Sequence, residues 1–501
     1  MNPNTLRVDS GRRLLVAMAG AAPFAAFAAE QKGESPPARG AGLPPQGTTL
    51  ALARFATSLK AQDLPGNVRD TFLLYVLDNV ASLLAGCVQP VHRRVQGALA
   101  ASQGKGSTQA VGGPATSLSF AVMLDALALG DFEFEHVMAG THPSSTAFPA
   151  LLALAARDDL PGQDLLASMV AAYEIAARIG TASGPEVEEH RGLHNPGLNG
   201  TLAAAAGCAR LLGLDAAQCD SAMGLAASSS AGLMAFLDGG AVTKRLHPAR
   251  CAQLGMESAL MAAAGVDGPR GVLESEHGFL HAFSPNPRPA VLTERLGEQW
   301  RGLLMIAKLI PAHARAQAWI EAINRARDRG ETWRAGDIVS VTAQAPASLL
   351  PERNLEARPG TLVSAQYSIL YCIAVALARD LRNPMQMNEG AVTDADVRRI
   401  AGLVRALPGT GTQDESILTI ALAGRSLELR FSGHAGIPGS PQFAQGVERK
   451  FVAVLAGLGI ERHKAALRNA VASVGERHGP ARLRKALVAA GRDVAGRWVE
   501  T

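Results

Sequence analysis

The sequence predicts a mostly α protein: a large all-helical domain with an inserted, smaller α+β lid domain. Three observations carry that expectation. Apolar runs at helical period, separated by short Gly, Pro and Asp turns, fill residues 48 to about 280. Hydrophobic residues make up 48% of the chain and aromatics only 4%, so the core is built from small aliphatic side chains that suit closely approaching helices better than a β-sandwich. From about Pro289 onward, strand-like alternation appears among further helical pieces. At 501 residues the chain also exceeds what one hydrophobic core usually supports.

In chain order, residues 1–28 read as a signal peptide. Arg7, Arg12 and Arg13 precede an apolar run over 14–28 that is short for a bilayer span, and Ala26-Phe27-Ala28 fits a small-x-small cleavage site. Arg12-Arg13-Leu14-Leu15 is twin-arginine-like, although Gly11 and Val16 depart from the usual flanks. The expectation is a periplasmic or otherwise exported protein, the alternative a cytoplasmic one with an apolar tail. Residues 29–47, rich in Pro and Gly, form a linker.

The helical domain is expected over 48–290. Segments 70–85, 116–129, 147–156, 163–179, 200–212 and 250–264 carry helical period or are apolar all round, and a helix of the latter kind belongs inside a bundle. No uncharged apolar run in this body reaches eighteen residues, so no membrane span is expected. The lid is expected over 291–440. Within it, 338–343 alternates as a strand, 417–423 and 427–431 flank a Gly-Arg-Ser turn as a hairpin, and 365–379 and 393–407 read as helices. Residues 441–501, opening with a helix over 442–458, return to the helical domain.

The formal charge of +4, from 48 basic and 44 acidic residues, and the lack of a Lys/Arg block with interleaved aromatics argue against nucleic acid as a partner. Five widely spaced cysteines, without a C-x-x-C pair or zinc spacing, read as small buried apolar residues. No G-x-G-x-x-G after a strand, P-loop, G-x-S-x-G or H-E-x-x-H occurs, so the standard cofactor signatures are missing.

What remains is a set of basic and imidazole groups in Gly/Pro-rich turns beside apolar helices. They are His142 in GTHPSS, His194 in RGLHNPG, Lys244 and His247 in VTKRLHPAR, and Lys308 and His313 in AKLIPAH. Each alone is explicable as a solvated or capping group; together they suit one cleft whose cations bind a substrate with several carboxylates and whose imidazoles move protons near neutral pH. Glu133 and Glu135, just upstream of His142, are placed to orient or tune it.

These segments resemble the MmgE/PrpD family, which includes 2-methylcitrate dehydratase and cis-aconitate decarboxylase. The resemblance covers about 52–458 and is carried by EFEHVMAGTHPSSTAFPALLALA, RGLHNPGLNGTLAAAAGCARLLGL, AVTKRLHPARCAQLG with GVLESEHGF, AKLIPAH, and SAQYSILYCIAVAL. It implies a helical domain with a smaller α+β lid, a homodimer, no organic cofactor and usually no metal, and an active site containing the positions matched by His142, His194, Lys244, Lys308 and His313. The last two fit the K-x-x-P-A-H form of the decarboxylase branch. The chain departs from the family at its D-F-D-D-T/V stretch, which reads Glu133-Phe134-Glu135-His136-Val137, and at P-T-G, which reads Asn195-Pro196-Gly197. The tyrosine of the decarboxylase branch has no counterpart in APASLLPE, and Tyr371 is equally suited to packing or to a site.

The expected function is therefore a cofactor-independent lyase on a small di- or tricarboxylic acid such as 2-methylcitrate or cis-aconitate. Catalysis falls to His142, His194, Lys244, Lys308 and His313, with Glu133 and His247 binding or tuning. The alternatives are an epimerase or isomerase of a related acid, and a non-catalytic polycarboxylate-binding protein.

Overall fold

The computed structural model describes residues 42–138, 140–409 and 415–497. The signal peptide read over 1–28 and most of the linker lie outside the described residues. The fold is mostly helical with a small sheet region.

Two hydrophobic clusters organise it. The first gathers the helices Gly66–Gly86, Leu118–Asp131, Phe148–Arg157, Gly162–Ser183, Asn195–Leu211 and Thr243–Ala263, together with the C-terminal helices Phe443–Leu458, Lys464–Ala472 and Gly479–Arg497. It reaches Met305 and Ala307, and the second cluster begins at Ile310 and ends at Leu429. The apolar cores thus change hands around Lys308, although Met385 belongs to the first.

Small residues set the closeness of the helices. At Gly255, an added Cβ would stand 2.5 Å from the Ala204 Cβ and 2.7 Å from the Thr201 carbonyl, so the Thr243–Ala263 and Asn195–Leu211 helices meet at a distance only glycine permits. Gly200 does the same beneath the THPSST loop, where a Cβ would lie 2.6 Å from the Thr146 methyl. The Gly162–Ser183 helix is long and apolar enough to cross a membrane, yet it is almost wholly buried in the protein, where Glu174 and Arg178 pair at 2.8 Å.

Two short antiparallel pairs, β1 (Thr108–Gln109) with β2 (Ala115–Thr116) and β3 (His136–Val137) with β4 (Ile306–Ala307), accompany the first cluster, and the second packs against a four-stranded sheet formed by β5 (Ile338–Ala345), β6 (Val404–Pro408), β7 (Ser416–Leu422) and β8 (Arg425–Phe431) in the order β6-β5-β7-β8. β5 runs parallel to β6 and antiparallel to β7, and β7 and β8 form the hairpin. Leu418, Ile420 and Leu422 alternate inward along β7.

Three details correct the sequence reading. The hairpin turns on Ala423-Gly424, with Leu422 opposite Arg425 and Gly424 at φ 89°, rather than on Gly-Arg-Ser. The helix expected over 393–407 spans only Ala395–Leu403, capped by Asp394. Gly402 weakens its last turn, Pro408 disfavours helical backbone at Leu407, and the chain continues as β6. The helix expected over 365–379 is broken at Ser368 into Leu362–Tyr367 and Ile369–Ala378, because the Ser368 hydroxyl caps the second piece by accepting from Tyr371 N at 3.1 Å.

Candidate active site

The site lies where the two clusters meet, and the segment after the Leu118–Asp131 helix builds its floor. Phe132 and Phe134 drive this segment into the core, their rings 5.8 Å apart. Glu133 adopts φ 58°, a left-handed conformation unusual for a residue with a side chain. His136 and Val137 form β3, which pairs antiparallel with β4 (Ile306–Ala307), His136 opposite Ala307. Continuing that register one step sets Glu135 against Lys308, whose ammonium donates to Glu135 Oε1 at 3.2 Å.

Four charges close into one buried cluster. Glu133 spans both lysines: its Oε1 accepts from Lys308 Nζ at 2.8 Å and its Oε2 from Lys244 Nζ. Lys244 sits in the first turn of the Thr243–Ala263 helix, and its ammonium lies 3.8 Å from Glu135 Oε1. His142 Nδ1 lies 2.8 Å from the same oxygen. Burial pushes the Glu133 carboxyl up, but Lys244 and Lys308 outweigh it and hold the group at about 2. Burial likewise opposes ionisation of Glu135, and Lys308, Lys244 and His142 hold it well below its ordinary value.

The imidazoles shift the other way. Burial lowers His142 against the raising pull of Glu135, and the two lysines lower it further, so it is neutral at neutral pH. His194 falls well below its usual value through burial, Lys244, His247 and His142. Its Nδ1 meets His247 Nδ1 at 3.0 Å, so one of the pair carries the shared proton. Its ring centroid is 6.3 Å from that of His142. His313 is lowered by burial and Arg315, and its ring packs 4.9 Å from Tyr367.

A cavity of about 1090 Å3 opens over this floor, lined among others by Glu133, His142, His194, Lys308, His313 and Tyr367. The structure thus brings six of the seven residues singled out from sequence to one place: Glu133, His142, Lys244, Lys308, His194 and His313. His247 stands behind His194, and neither it nor Lys244, which reaches the cluster through Glu133, lines the cavity. Two relationships differ from expectation. Of the two glutamates expected to orient or tune His142, Glu135 contacts it and Glu133 does not, because Glu133 is drawn away between the lysines. The lysines, expected to await substrate carboxylates, are already neutralised by the two glutamates. The hydroxyls of THPSS serve the local structure: Ser144 accepts from His136 N at 2.9 Å, Ser145 donates to the His142 carbonyl at 3.2 Å, and Thr141 donates to the side-chain Oδ1 of Asn199 at 2.7 Å.

Sequence reasoning missed Tyr367. It attended to Tyr371, whose hydroxyl donates to the carbonyls of Ala391 and Val392, both at 3.0 Å, inside the second core. The break at Ser368 turns Tyr367 toward the cavity instead, 5.0 Å beneath the Lys244 ammonium and beside Phe236. Burial and the charges of Glu133 and Glu135 raise its phenol well above 10, so it stays protonated. Among the described residues no protein group accepts its hydroxyl proton. The signal was the serine inside AQYSIL, a capping residue within an apolar run. Arg315 and Arg353 also line the cavity, and burial together with Arg353 lowers Arg315 to about 10.

The five cysteines are buried and free. Among the described residues no group of three or more His, Cys, Asp or Glu is arranged to hold a metal ion.

Residues 50–292 match the MmgE/PrpD N-terminal domain. The chain is 30% identical over 302 residues to the cis-aconitate decarboxylase-like protein oryM of Aspergillus oryzae, covering 56% of this chain and 62% of that protein. It is 26% identical over 359 residues to a cis-aconitate decarboxylase of Aspergillus terreus, covering 66% and 72% respectively. To the human cis-aconitate decarboxylase it is 31% identical over 189 residues, 36% of this chain and 38% of that one.

Proposed function

From the premise that the chain belongs to the MmgE/PrpD family, we propose that it is a lyase acting without an organic cofactor on a small tricarboxylic acid, cis-aconitate or a near relative, by decarboxylation. The observation that carries this reading is the bridge of Glu133 between Lys244 and Lys308, with Glu135 and His142 beside it, on the floor of the cavity. The relatives' names favour decarboxylation; the cluster also suits the dehydration of a 2-hydroxy acid such as 2-methylcitrate.

In the proposed reaction a substrate carboxylate displaces Glu133 from one or both lysines. The C–C bond to a second carboxylate breaks, carbon dioxide leaves, and the electron pair passes to the remaining carbon and into its neighbouring carboxylate. Lys244 and Lys308 stabilise the charge that develops there. A proton then closes the new C–H bond. Tyr367, a neutral phenol facing the cavity, is placed to give it, and neutral His142, oriented through Nδ1 by Glu135, to return one. In dehydration the same groups divide otherwise: His142 removes a proton α to a carboxylate and Tyr367 protonates the departing hydroxyl. His194 and His313 complete the wall and contact substrate.

The reading extends to the whole assembly. The second apolar cluster acts as a lid over the helical body, the protein works as a homodimer, and the arginine pair and apolar run of 1–28 direct it to export. Sedimentation and cell fractionation test the last two.

Incubating the protein with cis-aconitate, citrate and 2-methylcitrate, while following carbon dioxide, product mass and ultraviolet absorbance, tests the activity. Loss of carbon dioxide from cis-aconitate, abolished in His142→Ala, is expected. A folded protein that turns over none of the three contradicts the proposal.

A further inference from the structure

Beneath the Glu–Lys cluster lies a second set of buried charges that the proposed reaction does not use. Its centre is Lys450, on the Phe443–Leu458 helix, whose side chain is fully buried. The three N–H groups of the ammonium are shared among four acceptors, Asp78 Oδ2 at 2.9 Å and, at 2.8 Å each, Ser82 Oγ and the carbonyls of Phe134 and Lys308. It also lies 3.9 Å from the centroid of the Phe134 ring. Asp78 Oδ2 meets His136 Nε2 at 2.9 Å, and His136 Nδ1 meets the Tyr173 hydroxyl at 3.1 Å.

Two of these acceptors are informative. Phe134 is the residue between Glu133 and Glu135, and Lys308 is the cation that both glutamates hold. One ammonium from the C-terminal part of the chain therefore ties together the two backbone stretches whose side chains form the cluster. An apolar residue would fill the same space without the cost of desolvating a charge, so packing alone does not account for a lysine here. Its four acceptors fix the spacing between the two stretches in a way an apolar contact cannot.

We propose that Lys450 is a positioning residue, which sets Glu133 and Glu135 against Lys308 and so holds the geometry in which the lyase reaction runs. The kinetic consequence rests on the lyase reading; the structural consequence does not.

Protonation of Lys450 enters directly. Burial lowers the ammonium to about 8 against the pull of Asp78. The titratable groups facing it are Asp78 and Tyr75 from the Gly66–Gly86 helix, Glu135 and His136 from the floor, Lys308 from the opposite stretch, and Tyr173 beyond His136. Above about pH 8 the ammonium loses a donor and its charge, and the tie slackens.

The test compares the full chain with Lys450→Met and Asp78→Asn. Lys450→Met is expected to lower kcat on the order of 100-fold, the scale of a displacement near 1 Å, with KM little changed. The alkaline limb of kcat near pH 8 disappears in Lys450→Met. In Asp78→Asn it moves to lower pH, because the ammonium has lost its counter-charge. Amide exchange at 136–137 and 306–307 quickens in both variants. Wild-type kcat in a folded Lys450→Met protein, or an alkaline limb that stays in place in Asp78→Asn, overturns the proposal. Should Lys450→Met not fold, Asp78→Asn decides. If the wild type turns over no substrate, the lyase reading fails by itself, and unchanged exchange at those amides is then the result that overturns the positioning role.

Discussion

Glu133 and Lys308 are 175 positions apart in sequence and 2.8 Å apart in the fold, and the same carboxylate also takes the Lys244 ammonium. A single side chain thus occupies both cations that a substrate carboxylate would use. In the proposed reaction, substrate binding is an exchange of one carboxylate for another.

That exchange is measurable. With its carboxyl held at about 2, Glu133 is ionised at every working pH. Glu133→Gln leaves the two lysines with one uncompensated charge, and the unreactive triacid tricarballylate should bind about tenfold tighter, worth roughly 1.4 kcal/mol, by titration calorimetry. Turnover should fall at the same time. Weaker binding would mean that Glu133 organises the lysines for substrate rather than competing with it.

The two tyrosines of SAQYSILY separate activity from stability. Tyr367→Phe removes a hydroxyl with no protein partner among the described residues, so stability should hold while kcat falls by about 100- to 10,000-fold, the usual contribution of a proton donor. Tyr371→Phe leaves two carbonyls without their donor, and should cost about 1 kcal/mol with kcat retained. Thermal melts and steady-state rates on both variants check the assignment, and the reverse pattern would exchange their roles.

Much of this was legible in the sequence. The apolar runs and their glycines announced close-packed helices, and the turns carrying His142, Lys244, Lys308 and His313 were picked out by placing reactive groups beside buried elements. What stayed hidden depended on contacts across the chain. Which glutamate meets His142 is set by the pairing of β3 with β4, more than 160 positions away by the register of His136 and Ala307. Tyr367 was hidden by a one-residue break that a serine makes in a continuous apolar run. Lys450 shows no local pattern, since its partners come from three other stretches.

Acid should weaken the fold before the carboxylates protonate. Burial holds the His92 and His434 imidazoles down to about 4, below their value of 6.5 in the unfolded chain. Between about 6.5 and 4 the unfolded chain binds protons that the native state does not, so stability falls as pH drops through that window, by on the order of 3 kcal/mol per histidine. His92→Leu should flatten the change in urea midpoint between pH 7 and pH 5. A midpoint that falls in parallel with wild type would assign the loss elsewhere.

Arg178 fastens the chain that leads to β4. Fully buried, it pairs with Glu174 at 2.8 Å and donates to the carbonyls of Val291, Glu294 and Gln299 at 2.9, 2.8 and 3.1 Å. Arg178→Leu removes the cation beside Glu174, leaving that carboxylate only the Gly302 N–H, strands four carbonyls, Leu292 among them, and should cost about 3–5 kcal/mol in denaturant unfolding. A loss under 1 kcal/mol would show that the 291–302 segment holds without it.

If the cluster of Glu133, Lys244, Lys308 and His142 carries out the proposed lyase reaction, carbon dioxide release and proton uptake by the product must occur together. The purified protein is given cis-aconitate in deuterated water, with Lys308→Met as control, and carbon dioxide and product mass are followed together. One solvent deuteron is expected in the product for each carbon dioxide released, with both lost in Lys308→Met. Release that continues unchanged in a folded Lys308→Met protein, or no release from folded wild type, would contradict that reaction.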